Sequence, residues 1–193
     1  MGPTPDETTT TQKMSWDEYF YEMAKVTAKR SRDPDSQVGA VVVSDDHVVL
    51  STGYNGPARG VLDLPERILN DKKEKLRWMC HAEANAVFNA ARVGTILLDA
   101  TIYVTKFPCV SCAGAIVQVG IRRIYTEGDF WRNDPSGDDG ARAYRVLAEA
   151  GVQIHAPNLT GCLRFKECNC DREGVSGITK KGTSKKRVHV QHT

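Results

Sequence analysis

No apolar run in these 193 residues approaches the ~20 consecutive residues that a membrane-spanning helix needs. The first 13 residues, MGPTPDETTTTQK, lack the basic and apolar regions of a secretory leader, so an intracellular, cytoplasmic protein is expected. Aromatic residues are sparse at 7%. Acidic residues are absent from Gly174 onward, where Lys180, Lys181, Lys185, Lys186 and Arg187 cluster. Without those five bases, the remaining 21 face 24 acids, a net of −3. A body that grips long nucleic acid is normally basic itself, so nucleic acid is not the expected partner. The basic tail reads first as a solvated end. No internal repeat is visible.

What the chain does have is ordinary globular composition, with 40% hydrophobic and 26% charged residues, enough for one core. Residues 1–14 read as a disordered segment, 15–157 as one domain, and 158–193 as a basic, mobile extension. Ser15 and Glu18 have the spacing of a capping box, and Trp16, Tyr19, Phe20 and Met23 follow on one helical face. Val38–Val43 and Val48–Ser51 read as a hairpin around SDDH. Pro65 to Arg77 reads as one helix, with Asp63 or Leu64 near its cap. Further helices are expected over Ala82–Arg92, Cys109–Val119 and Ala141–Ala150, and strands over Thr101–Thr105, Ile121–Tyr125 and Val152–His155. That order implies one mixed sheet covered by helices on both faces.

Two short motifs carry the chemistry. One is His81-Ala82-Glu83; the other is Pro108-Cys109-Val110-Ser111-Cys112. Each sits where a loop or strand gives way to a helix. Cys109 and Cys112, three residues apart at a helix start, lie on one face, and the positive end of the helix favours their thiolates. His81 adds a nitrogen. Three protein ligands leave the fourth tetrahedral position of a zinc ion for water, whose acidity the metal raises. Residues i and i+2 of a regular helix diverge, so Glu83 can join His81 only if His81 is a cap residue. Glu83 is then the proton carrier. The H-x-E…P-C-x-x-C pattern is the known signature of zinc-dependent base deaminases. A purely structural zinc site would want a fourth ligand, and Cys80 is the adjacent candidate. His155, Cys162, Cys168 and Cys170 are candidates for a second metal, although the spacing of those cysteines is irregular.

From Trp16 to Ile154 the chain resembles the deoxycytidylate deaminase family. The resemblance rests on RSRDPDSQVGAVVV at 30–43, GYNG at 53–56, CHAEANAV at 80–87, TIYVTKFPCVSCA at 101–113 and QVGIRRIY at 118–125. It implies a three-layer α/β/α sandwich with a five-stranded mixed sheet. It implies conversion of dCMP and water to dUMP and ammonia, zinc on His81, Cys109 and Cys112, Glu83 as proton shuttle, and Asn55 in contact with substrate. It also implies a homo-oligomer, dimer or hexamer, controlled by dCTP with Mg2+ and by dTTP, with Gly53, Tyr54 and Gly56 in the regulatory segment. Arg30 is a candidate for a phosphate contact, and Trp131 for stacking on a base. Pro57 directly after GYNG, and the loop over 128–142, depart from the family pattern. The first bears on the regulatory segment; the loop, with Trp131, leaves room for a substrate other than plain dCMP, a modified cytosine nucleotide or another nucleoside or nucleotide. A nucleic-acid-editing deaminase and a non-catalytic zinc-stabilised binding protein are the competing readings.

Overall fold

The structure is a computed structural model that describes residues 13–69, 71–128 and 138–157. Helix α1 (Trp16–Ala28) starts at the expected capping box: Glu18 N–H donates to Ser15 Oγ at 3.2 Å, and Ser15 N–H donates to Glu18 Oε2 at 2.8 Å. Strands β1 (Gly39–Val43) and β2 (Val49–Tyr54) then form the antiparallel hairpin, with a register irregularity between Val42 and Val43. Strand β1 is buried along its whole length. Its unbroken GAVVV sequence fits a strand apolar on both faces.

Strand β5 (Thr101–Val104) lies antiparallel to β1, and β6 (Arg123–Tyr125) and β7 (Gln153–His155) continue in parallel, giving the order β2-β1-β5-β6-β7. The period-two alternation of side chains sorts the core onto two faces. Val41, Val43, Tyr103 and Tyr125 meet Phe20, Tyr21 and Ala24 of α1. On the other face, Ala40, Val42, Ile102, Val104 and Ile124 pack under three helices: α4 (Ala82–Val93), α5 (Val110–Gln118) and α6 (Asp138–Glu149). The expected three-layer sandwich with a mixed five-stranded sheet is therefore the fold. Among the described residues, no helix is long and apolar enough to cross a membrane.

The segment between hairpin and α4 differs from expectation. Pro65–Arg77 is two helices, α2 (Pro65–Leu69) and α3 (Lys72–Trp78). Asp71 divides them: it adopts an extended conformation, and its carboxylate accepts the Lys73 N–H at 3.0 Å as the N-cap of α3. An aspartate satisfies free helix donors better as a cap than in a helix interior. A two-stranded ribbon of β3 (Gly56–Pro57) and β4 (Met79–Cys80) also forms here. Two residues per strand are too few to leave a periodic signal.

Two glycines bring helices close to the hairpin. A Cβ on Gly39 would lie 2.2 Å from Ala24 O of α1, and one on Gly53 would lie 2.2 Å from Ala82 O of α4. These clashes are with helix backbone, which no rotamer change relieves. Gly53 is thus a packing residue beneath α4.

Candidate active site

The ribbon β3–β4 delivers the chain to His81, which is the N-cap of α4 with φ −71° and ψ 157°. Cys109 is likewise the N-cap of α5, at φ −73° and ψ 169°. Both residues are extended, and neither makes a side-chain capping hydrogen bond. The extended cap lets the histidine ring and Glu83, two residues on, line the same cavity. The geometric condition set by the sequence is met.

The candidate ligand atoms of His81, Cys109 and Cys112 all lie within 4.8 Å of one another. His81 Nδ1 is 3.4 Å from Cys109 Sγ and 3.5 Å from Cys112 Sγ. A tetrahedral zinc with ordinary Zn–N and Zn–S bond lengths requires an N···S edge of roughly 3.6 Å. The three donors therefore fit zinc in number, chemistry and spacing, with one position left over. Cys80, the fourth ligand a purely structural site would want, is not part of the cluster. Two helix N-termini point their partial positive charge at the sulfurs. Hydrogen bonding from Cys112 lowers Cys109 below the usual thiol range, with His81 contributing, whereas the same hydrogen bond and burial push Cys112 well above it. His81 is raised in turn by its bond to Cys109.

Glu83 is only 3% exposed, and burial pushes its carboxyl up to about 7. A carboxyl at that value can both take and return a proton near neutrality. Its narrow cavity is shared with His81, Asp33, Asn55, Met79 and Lys106. Asn55 is buried, and its amide is already engaged: Oδ1 accepts the Val38 N–H at 2.7 Å, and Nδ2 donates to Ser36 O at 2.9 Å and Asp33 Oδ2 at 3.3 Å. Arg30 is not on that wall. Its guanidinium carbon lies 5.7 Å from the ring centre of Tyr54, in a neighbouring depression that also holds Arg32, Arg59 and Gly56 and shares Asn55 and Met79 with the Glu83 cavity. Arg30 thus stands with Arg32 and Arg59 in a depression that adjoins the wall of that cavity. Trp131 lies outside the described residues, as do Cys162, Cys168 and Cys170. His155, their expected co-ligand, stacks on Tyr125 at 4.7 Å.

Sequence reasoning missed Lys75 and Lys106. The ammonium of Lys75 is 3% exposed and bonds Asp33 and Asp35 at 2.8 and 2.7 Å. Burial works against its charge, and the two carboxylates more than offset that, raising it overall. Its position in the run KKEKLR gives no sign of this. Lys106 donates to Ser36 Oγ at 3.1 Å. It stands three residues before Cys109, and that proximity was the available signal.

A mixed sheet flanked by helices, with a His/Cys/Cys donor set and a buried carboxylate at two helix N-termini, defines the zinc-dependent hydrolytic deaminase class. Residues 14–127 match the cytidine and deoxycytidylate deaminase zinc-binding region, and the chain belongs to that family. It is 38% identical over 144 residues to human deoxycytidylate deaminase, covering 72% of this chain and 78% of the human one. ComE operon protein 2 of Bacillus subtilis is 32% identical over 148 residues, covering 77% of this chain and 74% of the relative. The crystal structure of dCMP deaminase from cyanophage S-TIM5 with dCMP and dUMP superposes with a TM-score of 0.61, covering 75% and 98% of the two chains. At 23% identity, that match speaks for the fold.

Proposed function

We propose that this chain converts dCMP and water to dUMP and ammonia in the cytoplasm, with zinc on His81 Nδ1, Cys109 Sγ and Cys112 Sγ and with Glu83 as the catalytic proton carrier. The observation that carries the reading is the buried Glu83 carboxyl in a cavity shared with a three-donor cluster of tetrahedral spacing. The naming of 38% identical relatives as deoxycytidylate deaminases supports the choice of base and phosphorylation state.

Zinc bound there supplies a Lewis acid that makes water nucleophilic near neutral pH. Glu83 takes a proton from the attacking water and passes it to the ring nitrogen N3 as the C4–O bond forms. It then takes the remaining hydroxyl proton and hands it to the exocyclic amine, so the C4–N bond breaks with ammonia as leaving group. The apolar walls formed by Val38, Leu76, Met79 and Ala82 limit water around the carboxyl, which keeps its proton affinity high.

The test is a panel of dCMP, C5-methyl and C5-hydroxymethyl dCMP, dCTP, deoxycytidine and cytosine, followed by ammonia release. The reading fails if dCMP is not preferred to dCTP, deoxycytidine and cytosine. Preference for a C5-modified form would refine the substrate. Control by dCTP with Mg2+ and by dTTP, in a homo-oligomer, belongs to the same proposal. Its support is the arginine-lined depression of Arg30, Arg32 and Arg59 beside Tyr54 and Gly56, whose charge suits a nucleotide phosphate. Rates that do not respond to either triphosphate would remove that part. Deleting residues 174–193 should leave monomer turnover intact, in contrast to what an enzyme that edits nucleic acid through its basic tail would do.

A further inference from the structure

Lys75 sits in the interior of α3 and touches neither the metal cluster nor Glu83, yet it belongs to a chain of bonds that ends on the wall of their cavity. Its ammonium donates to Asp33 Oδ1. The other oxygen of Asp33 accepts from Asn55 Nδ2. Asp33 and Asn55 are both buried, at 6% and 5% exposure, and both line the cavity that holds Glu83.

The bonding capacity of Asn55 shows what this chain does. A carboxamide offers two N–H donors and two acceptor positions on oxygen. Asp33 Oδ2 and Ser36 O take the donors, and the Val38 N–H takes one acceptor position. What remains is one lone pair on Oδ1. Turning the amide over would set its NH2 against the Val38 N–H and its oxygen against both the Ser36 carbonyl and the Asp33 carboxylate, three repulsive contacts in a buried place. Asp33 is the one charged partner among the three that set which way the amide faces, and its own carboxylate is held by Lys75 together with the Asp35 and Ser36 N–H groups. Asp35, the second acceptor of Lys75, has a side chain 59% exposed, so the buried arm of the fork is the one that leads to Asn55.

We infer that Lys75 is a positioning residue which, through Asp33, locks the Asn55 amide with its oxygen available, so that this point of the cavity recognises a hydrogen-bond donor on the ligand. The inference rests on the deaminase reading for the identity of that ligand. Because the amide contacts a part of the ligand that does not change during reaction, loss of the lock raises KM more than it lowers kcat.

The experiment compares the full chain with Lys75→Met, Lys75→Arg and Asp33→Asn. It measures kcat and KM for dCMP, zinc per chain, and the melting curve, at a temperature where each variant is folded. Lys75→Met is expected to keep one zinc and kcat within threefold while KM rises at least tenfold, and Lys75→Arg to recover most of that rise. If Lys75→Met does not fold, Asp33→Asn answers the question, since it is nearly isosteric. An asparagine there cannot accept from both Lys75 and Asn55 without placing its own NH2 against one of them, so KM must rise again. An unchanged KM in a folded Lys75→Met, or in Asp33→Asn, with the unaltered chain turning over dCMP, overturns this inference alone. Absence of dCMP turnover by the unaltered chain counts instead against the deaminase reading.

Discussion

Replacing Gly53 with alanine should damage catalysis from beneath. The added Cβ would sit 2.2 Å from Ala82 O and 2.3 Å from Ala86 N, both backbone atoms of α4. Ordinary contact needs more than 3 Å, so α4 must lift by about 1 Å or the edge strand must yield. Overpacking typically costs about 1–3 kcal/mol, and a clash with two backbone atoms belongs at the upper end. For a domain of this size, about 3 kcal/mol lowers the melting temperature by roughly 6–12 °C. Helix α4 begins at His81 and carries Glu83 in its first turn. A displacement of about 1 Å there is expected to lower kcat/KM by about 100-fold. Gly39→Ala provides the control, because its Cβ would meet α1 at the same 2.2 Å on the opposite face of the sheet. Helix α1 carries none of the four proposed catalytic and ligand residues, so this variant should lose comparable stability and keep kcat/KM within about fivefold. Thermal melts, zinc content and dCMP kinetics on the two variants decide the matter. Gly53→Ala with unchanged melting and kinetics, or equal kinetic damage from both glycines, would refute the reasoning.

Glu83→Gln should retain zinc and lose about 10²–10⁴-fold in kcat, the ordinary contribution of a positioned proton carrier. The same variant tests the electrostatics in chelator-treated protein. Glu83 moves from 4.5 when unfolded to about 7 when folded, so folding favours its protonated form. The resulting penalty is absent below pH 4.5, grows as pH rises through 7, and reaches about 3 kcal/mol above that. Gln should therefore stabilise the fold relative to Glu at pH 8 and not at pH 4; denaturant midpoints that differ equally at both values would contradict this. Cys112→Ser should bind less than one zinc in ten chains by metal analysis, because it removes a buried sulfur from a three-donor set. Chelation of the parent should lower its melting temperature to near that of Cys112→Ser, and a parent indifferent to chelator would contradict a metal-stapled site.

The fold was legible where one residue pattern had one physical solution. The Ser15–Glu18 box and the unbroken Val41–Val43 run specified α1 and a central strand directly. The ligand set was legible because only a cap position at residue 81 allows residues 81 and 83 to face one cavity. The connection over 57–80 was not legible. Asp71 could equally be an exposed residue of a longer helix until tertiary structure made it a cap, and the β3–β4 ribbon is shorter than any periodicity. Lys75 was hidden because a basic residue in a basic run signals solvent, and only the return of the Asp33 loop across α3 buries it. The packing role of Gly53 was hidden because a strand residue's position along the chain does not say which helix backbone its face will meet.

His81 and Cys109 are both cap residues, and each helix they begin is seated directly on the sheet. The separation of the donors is therefore set by where two rigid rods abut a common floor. Of the connecting stretch over residues 94–100, Leu97 and Ala100 belong to that floor, being buried in the core. Its exposed positions, such as Ile96, can change while the centre keeps its dimensions, much as the span between two pillars does not depend on the cable slung between them. Divergence in such a protein should accumulate in its connectors and leave the rods and the floor alone.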